Sequence, residues 1–68
     1  MSVSYKRLFH NLLDKDISPT DLMRSAGFSG NIIMRLKHDE YVSLHSIESI
    51  CQVLGCGVDD ILEFKNDD

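Results

Sequence analysis

Two helix-start signals lie only eleven residues apart within residues 18–37, SPTDLMRSAGFSGNIIMRLK. Ser18 is followed by a proline and, three positions after the serine, by Asp21, a combination typical of a helix N-terminus. Ser29 is the second candidate cap, and Gly27 lies just before it. Glycine adopts left-handed backbone angles at little cost and commonly ends helices. The stretch therefore predicts two short helices separated by a sharp turn, which is a helix-turn-helix unit.

The rest of the chain has apolar positions at helical spacing, three or four residues apart. In the first predicted helix these positions are Tyr5, Leu8, Phe9, Leu12 and Leu13. Ser43 and Gly55 are the candidate cap and stop of a fourth helix, whose apolar positions are Leu44, Ile47, Ile50, Cys51 and Leu54. A short fifth helix is predicted from Val58, Ile61 and Leu62. The five predicted helices span residues 4–14, 19–26, 30–38, 44–54 and 58–63, and no alternating run indicates a strand.

The length of the chain limits it to one small domain, residues 1–68, with a single modest core. Helices this short are unstable in isolation, so they must pack on a shared core. Hydrophobic residues make up 43% and charged residues 26% of the chain, which is ordinary for a globular protein. The predicted fold class is therefore all-α, a compact five-helix bundle that contains the helix-turn-helix unit.

Several function classes are disfavoured by what the sequence lacks. No apolar run approaches the roughly 20 residues of a membrane span, and the N-terminus has no signal-peptide pattern, so we expect a cytoplasmic protein with no membrane partner. Cys51 and Cys56 are too few for a disulfide framework, and the histidines are scattered, so we expect reduced thiols, no metal and no cofactor. A short chain has little room for an enclosed pocket, so neither catalysis nor a small-molecule substrate is expected. Cys51 lies on an apolar helix face, where a thiol is usually inert.

The net charge of −4 is distributed unevenly along the chain. Residues 18–38 carry three cations and one anion, whereas residues 39–68 carry eight anions and one cation. An acidic protein is an unusual partner for nucleic acid. A mildly basic segment beside an acidic one nevertheless suits a protein with one side turned toward a polyanion, although small surface helices are often charged unevenly.

The helix-turn-helix unit and the segments around it resemble the Cro/C1-type (XRE-like) domains of phage repressors and bacterial regulators. Within the unit, the resemblance rests on Leu22, Ala26, Gly27, Phe28, Ile33 and Leu36. It continues in the segment YVSLHSIESICQVLGCGVDDILEF and covers about residues 4–64. The resemblance implies a lambda repressor-like DNA-binding domain, and hence a sequence-specific, repressor-like regulator of transcription that occupies double-stranded operator DNA.

In that family the helix that begins at Ser29 enters the major groove, and its first residues face the base edges. Because Ile32, Ile33 and Leu36 form the predicted core side of this helix, its other residues must lie mostly outward. The start of the preceding helix resembles the family's phosphate-touching position, where free N–H groups favour an anion. The resulting DNA-contact candidates are Ser18, Thr20, Ser29, Gly30, Asn31, Met34, Arg35 and Lys37.

These candidates also have plainer interpretations. Asparagine can pair with adenine and arginine with guanine, but Asn31 and Arg35 could equally form a solvated face. Ser29 is first of all a cap, and Met34 is more typical of a packing residue. Lys37 suits a contact with a backbone phosphate.

The chain departs from the family pattern at three points. Met23 stands where the family usually has a small residue, and Gly30 where many members have glutamine. After the third helix, His38 and Asp39 replace a frequent Asn-Gly pair. Asp39 and Glu40 would repel phosphates if they faced DNA, which would weaken the predicted affinity.

Two expectations about partners remain. Family members usually bind as dimers, so we expect a weak homodimer through apolar residues near the end of the chain, Ile61, Leu62 and Phe64. The alternative function is an acidic protein-interaction module that binds another regulator or a toxin, or that mimics DNA. The acidic residues 39–68 favour this alternative, and the cations of residues 18–38 oppose it.

Overall fold

The computed structural model describes residues 2–66, which form four α-helices, one 3-10 turn and a two-stranded sheet. The elements follow in the order β1 (Ser2–Ser4), α1 (Lys6–Asp14), α2 (Pro19–Ala26), α3 (Gly30–Lys37), α4 (Leu44–Leu54), the 3-10 turn (Val58–Asp60) and β2 (Glu63–Lys65). The first four predicted helices are therefore present, with boundaries within about two residues of the prediction.

The helix starts form as their capping residues predict, with one exception. The Ser18 Oγ accepts a hydrogen bond from the Asp21 N–H at 3.1 Å, and the Ser43 Oγ accepts one from the Ser46 N–H at 3.1 Å. Ser29 occupies the N-cap position of α3 with extended backbone angles, but its side chain makes no capping hydrogen bond. The Ser29 hydroxyl is therefore available to another partner.

The core is assembled from all four helices and from segments near both ends of the chain. Its buried apolar side chains are Val3, Tyr5, Leu8, Leu12, Leu22, Ile33, Leu36, Ile47, Ile50, Leu54 and Ile61. Helix α2 packs on α4, and the 3-10 turn packs on both α1 and α4. Helix α3 contributes only Ile33 and Leu36 to this buried set, so most of its surface stays in contact with solvent.

The predicted fifth helix over residues 58–63 is wrong. The chain makes a single 3-10 turn and then enters β2, which pairs antiparallel with β1 in the register Ser2↔Lys65, Val3↔Phe64 and Ser4↔Glu63. Strands of three residues are too short to show an alternating pattern, and each of these depends on a partner at the other end of the sequence. The fold is therefore mostly helical with a small sheet, rather than an all-α bundle of five helices.

Ile61 faces the core as predicted, and it also explains why the chain leaves the helical path. Its side chain is fully buried, and its carbonyl oxygen accepts a hydrogen bond from the Leu8 N–H at 3.1 Å. That N–H lies in the first turn of α1, where it has no acceptor within its own helix. The bond to α1 commits the Ile61 carbonyl to a distant partner, so it is not available to continue a helix beyond the 3-10 turn.

Three side chains predicted to face the core are instead exposed. Leu13 is 78% exposed, Leu44 82% and Val58 50%. They lie in the last turn of α1, in the first turn of α4 and at the start of the 3-10 turn. Helical spacing indicates which side of a helix is apolar, but it does not indicate how far along the helix the neighbouring elements reach.

Within residues 2–66, no helix has the length and apolar character needed to cross a membrane. Both cysteines in this part of the chain carry free thiols. No group of three or more potential metal ligands is found among the same residues.

Replacing Gly27 by alanine should destabilise the protein, whereas the same change at Gly30 should not. Gly27 has a φ of 75°, a conformation that costs an L-residue about 1–2 kcal/mol, whereas Gly30 begins α3, where alanine is the better helix former. A Cβ added at either position meets nothing within 4 Å, so backbone conformation alone separates the two variants. Urea unfolding followed by circular dichroism should give a free energy of unfolding about 1 kcal/mol lower for Gly27→Ala. Equal losses in the two variants would contradict this account.

Candidate nucleic-acid interface

The turn between α2 and α3 fixes the direction in which α3 leaves the core. The N–H groups of Gly27 and Phe28 both donate to the Met23 carbonyl oxygen, at 2.9 and 3.3 Å. These bonds satisfy a carbonyl at the end of α2 and reverse the chain within a few residues. Phe28 and Met23 are both partly buried against the core. The long Met23 side chain is therefore accommodated at a position where the family usually has a small residue.

Helix α3 has one buried side and one side open to solvent. Ile33 is 9% exposed, Leu36 is fully buried, and Ile32 packs partly against the core. The other residues of the helix are all exposed: Gly30, Asn31, Met34, Arg35 and Lys37. The prediction that these residues lie outward is confirmed. Met34 is 58% exposed, so its interpretation as a packing residue is wrong.

Arg35 and Lys37 lie at the two edges of the exposed side of α3. At about 100° per residue they are about 160° apart around the helix, and Gly30, Met34 and Asn31 lie between them. The exposed side is therefore cationic at its two edges and uncharged between them. Gly30 has no side chain, so the backbone at the start of α3 can approach a partner closely.

The remaining candidates lie at the start of α2 and in the turn that follows it. Ser18, Thr20 and Ser29 are all exposed. In the first turn of α2, the Asp21 N–H donates to the Ser18 Oγ and the Leu22 N–H donates to the Ser18 carbonyl oxygen. Among residues 2–66, the Thr20 N–H has no acceptor. An unoccupied N–H at a helix start is suited to an anion.

The cations of the α2–α3 unit are unpaired within the described part of the chain. No carboxylate of residues 2–66 forms an ion pair with Arg24, Arg35 or Lys37. Arg7 differs, because its guanidinium lies 3.2 Å from a Glu63 carboxylate oxygen and also donates to the Asp59 carbonyl oxygen. The positive charge of these three side chains is therefore not neutralised by an ion pair within residues 2–66.

The carboxylate that follows α3 is engaged inside the protein. The Asp39 Oδ1 accepts a hydrogen bond from the Tyr5 N–H at 3.0 Å, and the Tyr5 hydroxyl donates to the Glu40 carbonyl oxygen at 2.8 Å. Asp39 has a φ of 55°, so it adopts the left-handed conformation that glycine takes most readily and that aspartate tolerates. Its charge is directed at the start of α1, where the helix dipole is positive, rather than left unpaired beside α3.

The apolar spacing of the first predicted helix places Tyr5 in the core but does not indicate its link to the segment after α3. The side chain is 1% exposed, and this burial raises the pKa of its hydroxyl above the ordinary 10.0. A backbone hydrogen bond with Val42 acts in the opposite direction, and the nearby Asp39 carboxylate raises the pKa further. The hydrogen-bonded residues are 34 and 35 positions apart, so no local pattern could have indicated the contact.

Comparisons with known proteins agree with the fold. The family described as the Cro/C1-type HTH (helix-turn-helix) DNA-binding domain matches residues 7–67 of the chain. The crystal structure of the transcriptional regulator VanUg, form II, is similar to this protein with a TM-score of 0.88 and 35% sequence identity, over 91% of this chain and 83% of that one. No curated protein matches the chain.

Replacing Tyr5 by phenylalanine should remove the hydrogen bond to the Glu40 carbonyl oxygen while keeping the ring in the core. Loss of one hydrogen bond should lower the free energy of unfolding by about 1 kcal/mol at neutral pH. Above pH 10 the unfolded state releases the tyrosine proton while the folded state, with its raised pKa, retains it, so the wild-type protein loses this stabilisation as the pH rises. The difference between the two proteins should therefore narrow in urea titrations above pH 10.

Tyr41→Phe is the matched control, because Tyr41 is 65% exposed. It should change the free energy of unfolding by less than about 0.5 kcal/mol at neutral pH. A Tyr5→Phe variant as stable as Tyr41→Phe would show that the Tyr5 hydroxyl does not hold the segment after α3.

Proposed function

The chain belongs to the Cro/C1-type helix-turn-helix DNA-binding family, and from this we propose that it is a repressor-like regulator that binds operator DNA sequence-specifically through α3. The observation that carries the proposal is the pair of free cations at the edges of the exposed side of α3. Arg35 and Lys37 have no carboxylate partner within residues 2–66, and the opposite side of the helix is anchored in the core. A helix presented in this way fits the major groove of B-DNA, which is about 12 Å wide.

Asn31 and Arg35 are the proposed base-reading residues. They lie one helical turn apart on the same face, so both can reach the same part of a groove. Arginine makes paired hydrogen bonds with guanine, and asparagine makes them with adenine. Met34 lies beside them with an exposed apolar side chain, which suits contact with a thymine methyl group. Gly30 would let the start of α3 approach the base edges.

Backbone phosphates are the proposed partners of Ser18, Thr20, Ser29 and Lys37. Thr20 offers an unoccupied N–H at the start of α2, and the Ser29 hydroxyl makes no capping bond. Lys37 lies at the edge of α3 away from Arg35, near the helix end. Contacts of this kind set the position of a protein on the duplex but do not read its sequence.

A second candidate function, an acidic protein-interaction module, is favoured by the eight carboxylates within residues 39–68. Some of these carboxylates already have partners inside the protein. Asp39 accepts a hydrogen bond from Tyr5, and Glu63 pairs with Arg7. These internal contacts reduce the acidic surface available to a basic partner, so DNA binding is the better-supported proposal.

We further propose that two copies bind neighbouring half-sites about 34 Å apart, because one small module buries only about 600–1,000 Å² on DNA. The residues predicted from the sequence to form the contact between copies are Ile61, Leu62 and Phe64. Ile61 is fully buried in the core, and Leu62 is partly buried against it. Only Phe64, at 60% exposed, remains available at that end within the described residues.

Alanine substitutions at Arg35 and Lys37 should separate base reading from phosphate binding. The wild-type protein first selects its preferred sequence from random duplexes at moderate salt. The affinities of wild type and variants for the preferred duplex and for a random duplex are then measured against salt concentration. Arg35→Ala should cost about 1–3 kcal/mol on the preferred duplex and relax the preference at one base pair. Lys37→Ala should weaken both duplexes nearly equally and lower the salt slope by about 1.

Lys65→Ala is the control, because it removes one cation from an exposed position on β2 and should change neither affinity nor preference. Equal losses on both duplexes for Arg35→Ala would exclude base reading by Arg35. If neither α3 variant altered binding, the DNA site would lie elsewhere. No enriched sequence and no binding at low salt would favour the protein-interaction module.

A further inference from the structure

Two free thiols lie next to each other where α4 ends. Cys51 is in the last turn of α4, and Cys56 follows Gly55, which has a φ of 65° and ends the helix. The N–H groups of Gly55 and Cys56 both donate to the Cys51 carbonyl oxygen, the second at 3.1 Å. A bond from the second residue after a helix back to its last turn is typical of a Schellman helix end, where the side chains of the two bonded residues often make an apolar contact. In this protein both members of that contact are cysteines.

Both thiols line the same surface groove, between α4 and the 3-10 turn. Each side chain is half-buried, so a small solute can reach it. Burial raises the pKa of the Cys56 thiol, the charges of Cys51 and Asp60 raise it further, and a side-chain hydrogen bond with Cys51 acts in the same direction. The influence of Cys51 agrees with the backbone geometry, so the two thiols are neighbours in space as well as in the helix-end motif.

The backbone at this helix end suits a disulfide bond. Disulfides join residues whose Cα atoms usually lie about 4.4–6.8 Å apart. Residues that share a backbone hydrogen bond lie in this range; paired residues in a ladder, for example, have Cα atoms about 5.5 Å apart. Cys51 and Cys56 share such a bond, so their backbones are already close enough for their sulfur atoms to join.

The surroundings of the pair indicate which chemistry it can perform. A structural zinc ion takes four ligands, and no group of three or more potential ligands is found within residues 2–66. Peroxide sensing uses exposed thiols with a lowered pKa, whereas burial raises the pKa of Cys56. Exchange with a small-molecule disulfide suits the pair better, because a thiolate with a higher pKa is scarcer but intrinsically more nucleophilic.

We propose that Cys51 and Cys56 form a reversible intramolecular disulfide in the folded protein, with an oxidised low-molecular-weight thiol such as glutathione disulfide as the oxidant. One cysteine, as its thiolate, attacks a sulfur of the oxidant, whose S–S bond breaks and releases one thiolate. The second cysteine loses its proton and attacks the protein sulfur of the mixed disulfide, which releases the second thiolate. Two electrons pass from the cysteine pair to the oxidant, and the two protons lost by the cysteines end on the two released thiols.

The disulfide ties the end of α4 to the segment that leads through the 3-10 turn to β2. That segment includes Ile61, whose carbonyl oxygen accepts the Leu8 N–H of α1, so the bond strengthens a connection between the two ends of the fold. Neither cysteine lies on α3 or at the start of α2. Oxidation therefore changes the stability of the fold and leaves the DNA-contact candidates in place, and the proposal does not depend on DNA binding.

The test follows the disulfide of the full chain in glutathione redox buffers, once under folding conditions and once in urea. Because the fold holds the two thiols together, the effective concentration of one for the other should be about tenfold or more higher in the folded protein than in urea. Intact mass after alkylation distinguishes the closed pair from mixed disulfides, and circular dichroism checks the fold. An effective concentration that is equal or lower in the folded protein overturns the proposal. So does a main product with two bound glutathiones or with a disulfide between two chains.

Single-cysteine variants and a displaced pair are the controls. Cys51→Ser and Cys56→Ser should each stop at one bound glutathione. A chain that combines Cys51→Ser with Gln52→Cys keeps two cysteines close in sequence but moves one of them about 100° around α4, to an exposed position. Folding should give this displaced pair no gain in effective concentration over urea. If the displaced pair gains as much as the wild-type pair, nearness in sequence rather than the helix-end geometry produces the bond, and the proposal is wrong.

Discussion

Two long-range hydrogen bonds of Tyr5 join the segments on which the interface depends. Its N–H, at the start of α1, binds the Asp39 carboxylate, and its hydroxyl binds the Glu40 carbonyl oxygen. Both partners come immediately after α3, so the end of that helix is tied to the first helix of the domain. The ring of Tyr5 is 1% exposed, and it therefore cannot shift without disturbing the core. The backbone and side chain of Tyr5 thus hold the segment that follows α3, and the turn at Gly27 fixes the start of the helix.

Between these two fixed ends, α3 has little freedom to rotate. Ile33 and Leu36 are its two buried side chains, at 9% and 0% exposed, and turning them out of the core would cost several kcal/mol of apolar burial. The exposed side of the helix is consequently defined by its buried side. This is how a helix of eight residues, too short to be stable alone, can present a fixed set of side chains to a partner.

The same packing determines which charged side chains of this acidic protein have internal partners. Arg7 is neutralised by Glu63 because β2 returns to the start of the chain, and Asp39 is directed at α1. The cations at the edges of α3 have no such partners within residues 2–66. Net charge alone would have argued against DNA as a partner, whereas the distribution of paired and unpaired groups is compatible with it.

The sequence by itself determined the features that depend on interactions between residues close together in the chain. Capping serines, the glycine stop and the apolar spacing located four helices within about two residues, and the spacing also identified the outward side of α3. Tertiary structure decided the rest. The strands exist only because two segments about 60 residues apart pair with each other, and the Tyr5 contacts cross 34 and 35 positions. Leu13 and Leu44 follow helical spacing yet remain exposed, because burial depends on which element lies opposite a helix end. Spacing along one helix contains no information about that neighbour, so only the packed structure could decide it.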